Sequence, residues 1–114
     1  MKIIQSLCML LLFIAGSMYL PMQAQKETPV TDTIRVSGNC GTCQKNIESA
    51  LDVKGVKKAS WNQETKWLTV TYMASKITND DIQRKIAAAG YDTEKYKAKQ
   101  EDYDKLHTCC KYDR

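Results

Sequence analysis

Residues 31–51 read TDTIRVSGNCGTCQKNIESAL, and the period of the apolar positions changes partway through. Thr31 to Ser37 alternates, with Ile34 and Val36 on one face, as a half-buried strand does. Gly38-Asn39-Cys40-Gly41 is turn-like, because glycine and asparagine tolerate the backbone angles of tight loops. From Thr42 the spacing becomes helical. Cys43, Ile47, Ala50 and Leu51 form one apolar stripe that ends before Gly55. A strand therefore passes through a short loop straight into a helix, and two cysteines sit at the junction.

Downstream the same reading continues. Val56 to Trp61 is a second strand, with Trp61 as its end anchor, and Asn62-Gln63-Glu64 is the turn after it. Thr65 to Met73 is a third, with Leu68, Val70 and Tyr72 inward and Trp67, Thr69 and Thr71 outward. Thr78 can cap a second helix, and Asp81, three residues on, complements the positive end of the helix dipole. Ile82, Ile86 and Ala89 are its expected buried stripe, and Gly90 suits a left-handed C-terminal cap. Thr93 to Lys99 reads as a weak last strand. Strand, helix, strand, strand, helix, strand predicts an α+β fold. The expected form is a ferredoxin-like βαββαβ sandwich, a four-stranded antiparallel sheet with both helices on one face.

Upstream, Lys2 precedes the mostly apolar stretch Ile3–Leu20, and small and polar residues follow to Ala24. That is the three-part layout of a secretory signal peptide, with cleavage expected after Ala24. The organisation expected is a signal peptide over 1–24, a linker over 25–30, a domain over 31–99 and a cysteine-bearing tail over 100–114. No membrane span is expected once the signal is removed, and the mature protein would be periplasmic or secreted. Net charge is +4 for the whole chain. It is spread without a basic block, and the aromatics form no stacking platform, so nucleic acid is not an expected partner. Cys8 leaves with the signal, and Cys40, Cys43, Cys109 and Cys110 remain.

Cys40 and Cys43 are three residues apart where a loop enters a helix, so both sulfurs can point at one atom. The free amides and partial positive charge of a helix start favour the thiolate. Thiolates are the ligands that soft ions prefer, Cu(I) and Hg(II) above all and Zn(II) less selectively. Two sulfurs suit low-coordinate Cu(I) or Hg(II) better than zinc, whose structural sites want four ligands. A redox pair, half a zinc site or a plain disulfide are the other uses of such a pair.

With Cys40-Gly41-Thr42-Cys43 in the first loop of this pattern, the sequence resembles the heavy-metal-associated domain family. That family includes copper chaperones, N-terminal modules of metal-pumping ATPases and periplasmic mercury-binding proteins. The resemblance covers about Thr31 to Lys99, including Gly55-Val56, Leu68-Thr69-Val70 and Ala89-Gly90-Tyr91. It implies an exported Cu(I) carrier or scavenger rather than an enzyme, with Hg(II) as the alternative cargo. It also implies release to a metal-transporting ATPase or another acceptor protein. A monomer is expected, with a metal-bridged dimer as the alternative state. Tyr91 is implied to shield the metal, though a place at the core edge suits it equally. The family has methionine two residues before the first cysteine. Here Gly38 stands in that place, so a looser loop is expected.

His107-Thr108-Cys109-Cys110 lies past the resemblance. Three uses are open: folding back to add Cys109, Cys110 or His107 as ligands, forming disulfides with Cys40 or Cys43, or acting as a separate tether. A thiol-disulfide oxidoreductase is the competing enzymatic reading. It lacks support from a proline facing the thiols, since Pro29, the one proline left after cleavage, is upstream of the site.

Overall fold

The structure is a computed structural model, and it describes residues 27–114. The expected signal peptide, with Cys8, lies outside the described residues. The elements in order are β1 (Val30–Arg35), α1 (Gly41–Ala50), β2 (Val56–Trp61), β3 (Trp67–Tyr72), α2 (Asn79–Ala88), the short α3 (Gln100–Asp104) and a 3-10 turn over Thr108–Cys110.

The strands form an antiparallel sheet in the order β1-β3-β2. Ile34 stands opposite Leu68, and Trp61 opposite Leu68 on the other side. Because successive side chains alternate across a strand, this register puts Ile34, Leu68, Val70 and Tyr72 on one face, where all are buried. Trp67 and Thr69 take the outer face. Cys43 and Ile47 of α1, Leu51 just beyond it, and Ile82 and Ile86 of α2 join the same cluster. Burying each of the larger side chains is worth about 1.5–3 kcal/mol, so one continuous core holds the layers together.

The second helix starts as its sequence implies. The Thr78 hydroxyl accepts from the Asp81 amide at 3.1 Å, and the Asp81 carboxylate accepts from the Thr78 amide at 3.2 Å. This reciprocal pair satisfies two otherwise free donors. Its inward face is wider than expected, because Gln83 and Ala87 are buried while Ala89 is the half-buried C-cap. Ala50 is likewise half-buried.

The expected fourth strand is not formed: among the described residues the sheet has three strands, and Thr93–Lys99 contributes a single bridge, Val36 to Thr93. Polar side chains decide this. The Thr93 amide donates to the Tyr96 carbonyl at 2.8 Å, and the Tyr96 amide donates to the Thr93 hydroxyl at 3.1 Å, which closes a tight turn. The buried Gln83 carbonyl oxygen accepts from the Thr93 hydroxyl and the Lys95 amide, at 2.8 and 3.0 Å. At the end of β1 the Glu94 carboxylate accepts from the Arg35 amide at 2.6 Å, where a ladder partner would otherwise sit. Threonine and glutamine bonds to nearby backbone thus outcompete strand pairing. The fold is ferredoxin-like with three of its four strands.

Residues 100–114 pack against the same core. Cys110 and Tyr112 are buried in it. Gly90, at φ +104, faces this segment so closely that a Cβ would lie 2.9 Å from the Asp102 carbonyl oxygen. Only glycine combines that backbone angle with that approach.

Candidate metal centre

Cys40 is the N-cap of α1, in extended conformation, and Cys43 lies in the first helical turn. Their sulfurs are 3.7 Å apart. Cys43 is fully buried at the back of the site, and Cys40 is half-exposed at its rim. The Asn39 amide donates to the Cys43 sulfur at 3.4 Å. The Cys40 thiol is drawn down from 9.0 to about 6, first by the Cys43 amide, which donates to its sulfur; contacts from Cys109 and the Thr42 amide add to this. A helix start that aims amides at a sulfur favours its anion.

The loop is held from below by Trp61. The indole is buried and donates its Nε1–H to the Val36 carbonyl at 3.1 Å. A Cβ on Gly38 would lie 2.9 Å from Trp61 Cη2 and 3.3 Å from Cys43 Cβ. The space beside Gly38 is thus filled by a tryptophan from the end of β2. A large rigid ring thereby packs beneath the loop that Gly38 opens.

The segment 100–114 returns to the site. The Cys110 sulfur lies 4.0 Å from that of Cys40, and the sulfurs of Cys40, Cys43 and Cys110 all lie within 4.8 Å of one another. Burial pushes the Cys110 thiol up, and the Cys43 sulfur adds to the shift. Cys109 stays exposed and outside this cluster. Its sulfur is 3.9 Å from that of Cys110, and its carbonyl oxygen is 3.5 Å from the Cys40 sulfur. His107 is exposed and is not among the three clustered groups; its carbonyl accepts from the Cys110 amide at 2.8 Å. All four described cysteines are free thiols.

Tyr91 is completely buried. Its hydroxyl accepts from Asn46 Nδ2 at 3.0 Å, and its ring stacks on Tyr112 with centroids 6.2 Å apart. Burial pushes this phenol far up, and the sulfurs of Cys110 and Cys43 push it further, so it faces the site as a neutral group. Tyr91 is therefore a core side chain whose polar tip adjoins the sulfurs. Asn46, Trp61 and Tyr112 also shape the centre without standing out in the sequence. Asn46 sits one turn after Cys43 on a helix flank, where a polar residue is ordinary.

A family model for the heavy-metal-associated domain matches residues 33–92, more than half of the chain. The chain belongs to the heavy-metal-associated domain family. Cys40 and Cys43 lie within the matched stretch of this heavy-metal-associated domain. It is 41% identical over 63 residues to a zinc-transporting ATPase of Synechocystis sp. (strain ATCC 27184 / PCC 6803 / Kazusa), a match over 54% of this chain but only 9% of that protein. It is similar to the CopZ metallochaperone at 33% identity and TM-score 0.54, covering 56% of this chain and 98% of that one. A copper binding domain from a P-type ATPase is similar at 29% identity and TM-score 0.54, over 56% of this chain and 89% of that one. The match stops at Asp92, so Cys109, Cys110 and the rest of residues 93–114 lie outside the matched stretch.

Proposed function

We propose that this heavy-metal-associated domain is an exported carrier or scavenger of Cu(I), which it takes up on Cys40 and Cys43. The observation that carries the reading is the pair itself: two sulfurs 3.7 Å apart at a helix start, one buried and one at the rim. Soft thiolates select Cu(I) from harder ions, and a half-exposed Cys40 lets an acceptor's thiol join before the first ligands leave. The similarity to a metallochaperone and to a copper binding domain of a P-type ATPase supports the same cargo. The acceptor is a metal-transporting ATPase or another thiol-bearing protein, and the carrier works as a monomer.

Hg(II) is the alternative cargo, since it shares the preference for few sulfur ligands. Zn(II) follows it. The relative named as a zinc-transporting ATPase supports zinc, but zinc's demand for four ligands argues against it. A thiol-disulfide exchange role draws on one observation, the lowered Cys40 thiol beside a second sulfur.

Reduced protein titrated with Cu(I), Hg(II) and Zn(II) against a competing chelator tests these readings. Tight Cu(I) uptake that Cys40→Ser abolishes is the expected result; unchanged Cu(I) and Hg(II) affinity in that variant would sink the carrier reading. Turnover of a disulfide substrate at a rate removed by Cys40→Ser would favour the exchange reading instead. Amino-terminal sequencing of protein recovered from the cell envelope checks cleavage after Ala24.

A further inference from the structure

The third sulfur is built into the fold rather than left near the pair by a loose end. Cys110 is fully buried, and its amide is tied to the His107 carbonyl at 2.8 Å. Two residues on, the Tyr112 hydroxyl donates to the Gly90 carbonyl at 2.8 Å and accepts from the Asp92 amide at 2.9 Å. The Tyr103 hydroxyl donates to the Tyr112 carbonyl at 2.6 Å, and the two rings meet edge to face at 5.0 Å. Arg114 then binds the Asp92 carboxylate at 3.0 Å and the Ala98 carbonyl at 2.6 Å. The chain just past Cys110 is thus fastened to the loop that follows α2, and Tyr103 ties the residues before it to Tyr112.

Sulfur spacing bears on coordination. With a metal–sulfur bond of about 2.3 Å, a linear two-sulfur site separates its sulfurs by about 4.6 Å and a flat three-sulfur site by about 4.0 Å. The separations here are 3.7 Å between Cys40 and Cys43 and 4.0 Å between Cys40 and Cys110, with Cys43 and Cys110 within 4.8 Å. They suit three ligands better than two.

We infer that Cys110 is a third thiolate of the metal site and that residues 100–114 form a latch. The latch turns the family's open two-sulfur clamp into a closed three-sulfur one that retains its ion. This rests on the carrier reading above. On capture, the Cys110 sulfur bonds to the ion and its proton goes to water. On release, an acceptor's thiolate bonds to the ion, the Cys110–metal bond breaks and Cys110 regains a proton. The ion's oxidation state does not change at any step. Cys109 keeps its sulfur outside the cluster and is not a ligand.

X-ray absorption of the reduced protein loaded with one equivalent of Cu(I) reads the ligand number directly. Three sulfurs are expected in the wild-type protein and in Cys109→Ser, and two in Cys110→Ala. Losing a residue that merely supports a ligand costs about 10–100-fold in affinity, so Cys110→Ala should pass Cu(I) to bathocuproine disulfonate at least about tenfold faster than wild type. Cys110→Ser, which keeps the volume of the side chain, should behave like the alanine variant. Two sulfurs in the wild type, or equal transfer rates, would overturn the latch and leave the carrier intact. No Cu(I) uptake by the wild type would overturn the carrier reading, and the latch with it.

Discussion

Gly38 lies against the edge of the Trp61 indole, with room for a hydrogen but not a methyl: a Cβ there would stand 2.9 Å from Cη2 and 3.0 Å from Cζ2. The two residues are one packing unit, and the loop that carries Cys40 rests on it. Gly38→Ala should therefore destabilise the protein by about 1–3 kcal/mol, the usual cost of overfilling a packed site. In a Trp61→Phe background, which vacates that space, the same change should cost less, and a double-mutant cycle in urea should show coupling above about 0.5 kcal/mol. Equal costs in both backgrounds would mean that the ring does not support the loop.

The Cys40 thiol ionises near 6 in the folded chain and near 9.0 when unperturbed. Its folded value is depressed, so its contribution to stability is complete above pH 9, shrinks as pH falls, and is gone below 6. Iodoacetamide labelling of the metal-free protein, resolved by mass spectrometry, should show Cys40 reacting half-maximally near pH 6. Cys110, buried and shifted the other way, should stay unlabelled under the same conditions. A Cys40 rate that climbs only near pH 9 would contradict the amide contacts described for it.

Tyr112→Phe removes the hydroxyl that joins Gly90 and Asp92. Leaving those backbone groups without partners should cost about 1–3 kcal/mol, taken mostly from the attachment of residues 100–114. Hydrogen exchange should quicken in that segment, and Cys110 should become open to labelling, while the amides of β3 keep their protection. Uniform loss of protection across β3 as well would show that the segment does not open by itself.

Asp32 accepts from the Tyr72 hydroxyl at 2.6 Å and from Asn79 at 2.9 Å, tying β1 to β3 and to the start of α2. The Tyr72 bond, and then Asn79, hold the Asp32 carboxyl below its usual 3.8, and the Asp32 carboxylate raises Tyr72 to about 12. Asp32 thus stabilises above pH 3.8 and loses that contribution as pH falls through its lowered value. Tyr72 stabilises below pH 10 and loses its contribution as pH rises towards 12. Asp32→Asn should flatten the acid side of a melting-temperature profile, and Tyr72→Phe should flatten the alkaline side and cost about 1–2 kcal/mol at neutral pH. A profile unchanged at both ends would discount the pair.

What the sequence makes legible follows from how local each signal is. The alternation of Leu68, Val70 and Tyr72, the stripe through Cys43 and Ile47, and the Thr78/Asp81 cap are repeats or pairs within a few residues, and all three appear in the fold. The placement of Cys40 and Cys43 at a loop–helix junction is equally local. The fourth strand misleads because a weakly apolar run is judged without its surroundings: the buried Gln83 and the Thr93 hydroxyl bind the backbone into a turn. Cys110 is beyond any spacing rule, since nothing periodic connects it with Cys40. Trp61 is similar. Its role under Gly38 needs the hairpin of β2 and β3 to be formed before the two can meet.

Cys40 and Cys110 stand 70 positions apart, yet their sulfurs nearly touch. An ion shared by them would act as a staple that closes a ring of chain around almost the whole domain. A cross-link of that span disfavours the unfolded chain by about 4 kcal/mol in the loop-entropy picture. Heat resistance would then track cargo, and the loaded protein would outlast the empty one under attack by a protease.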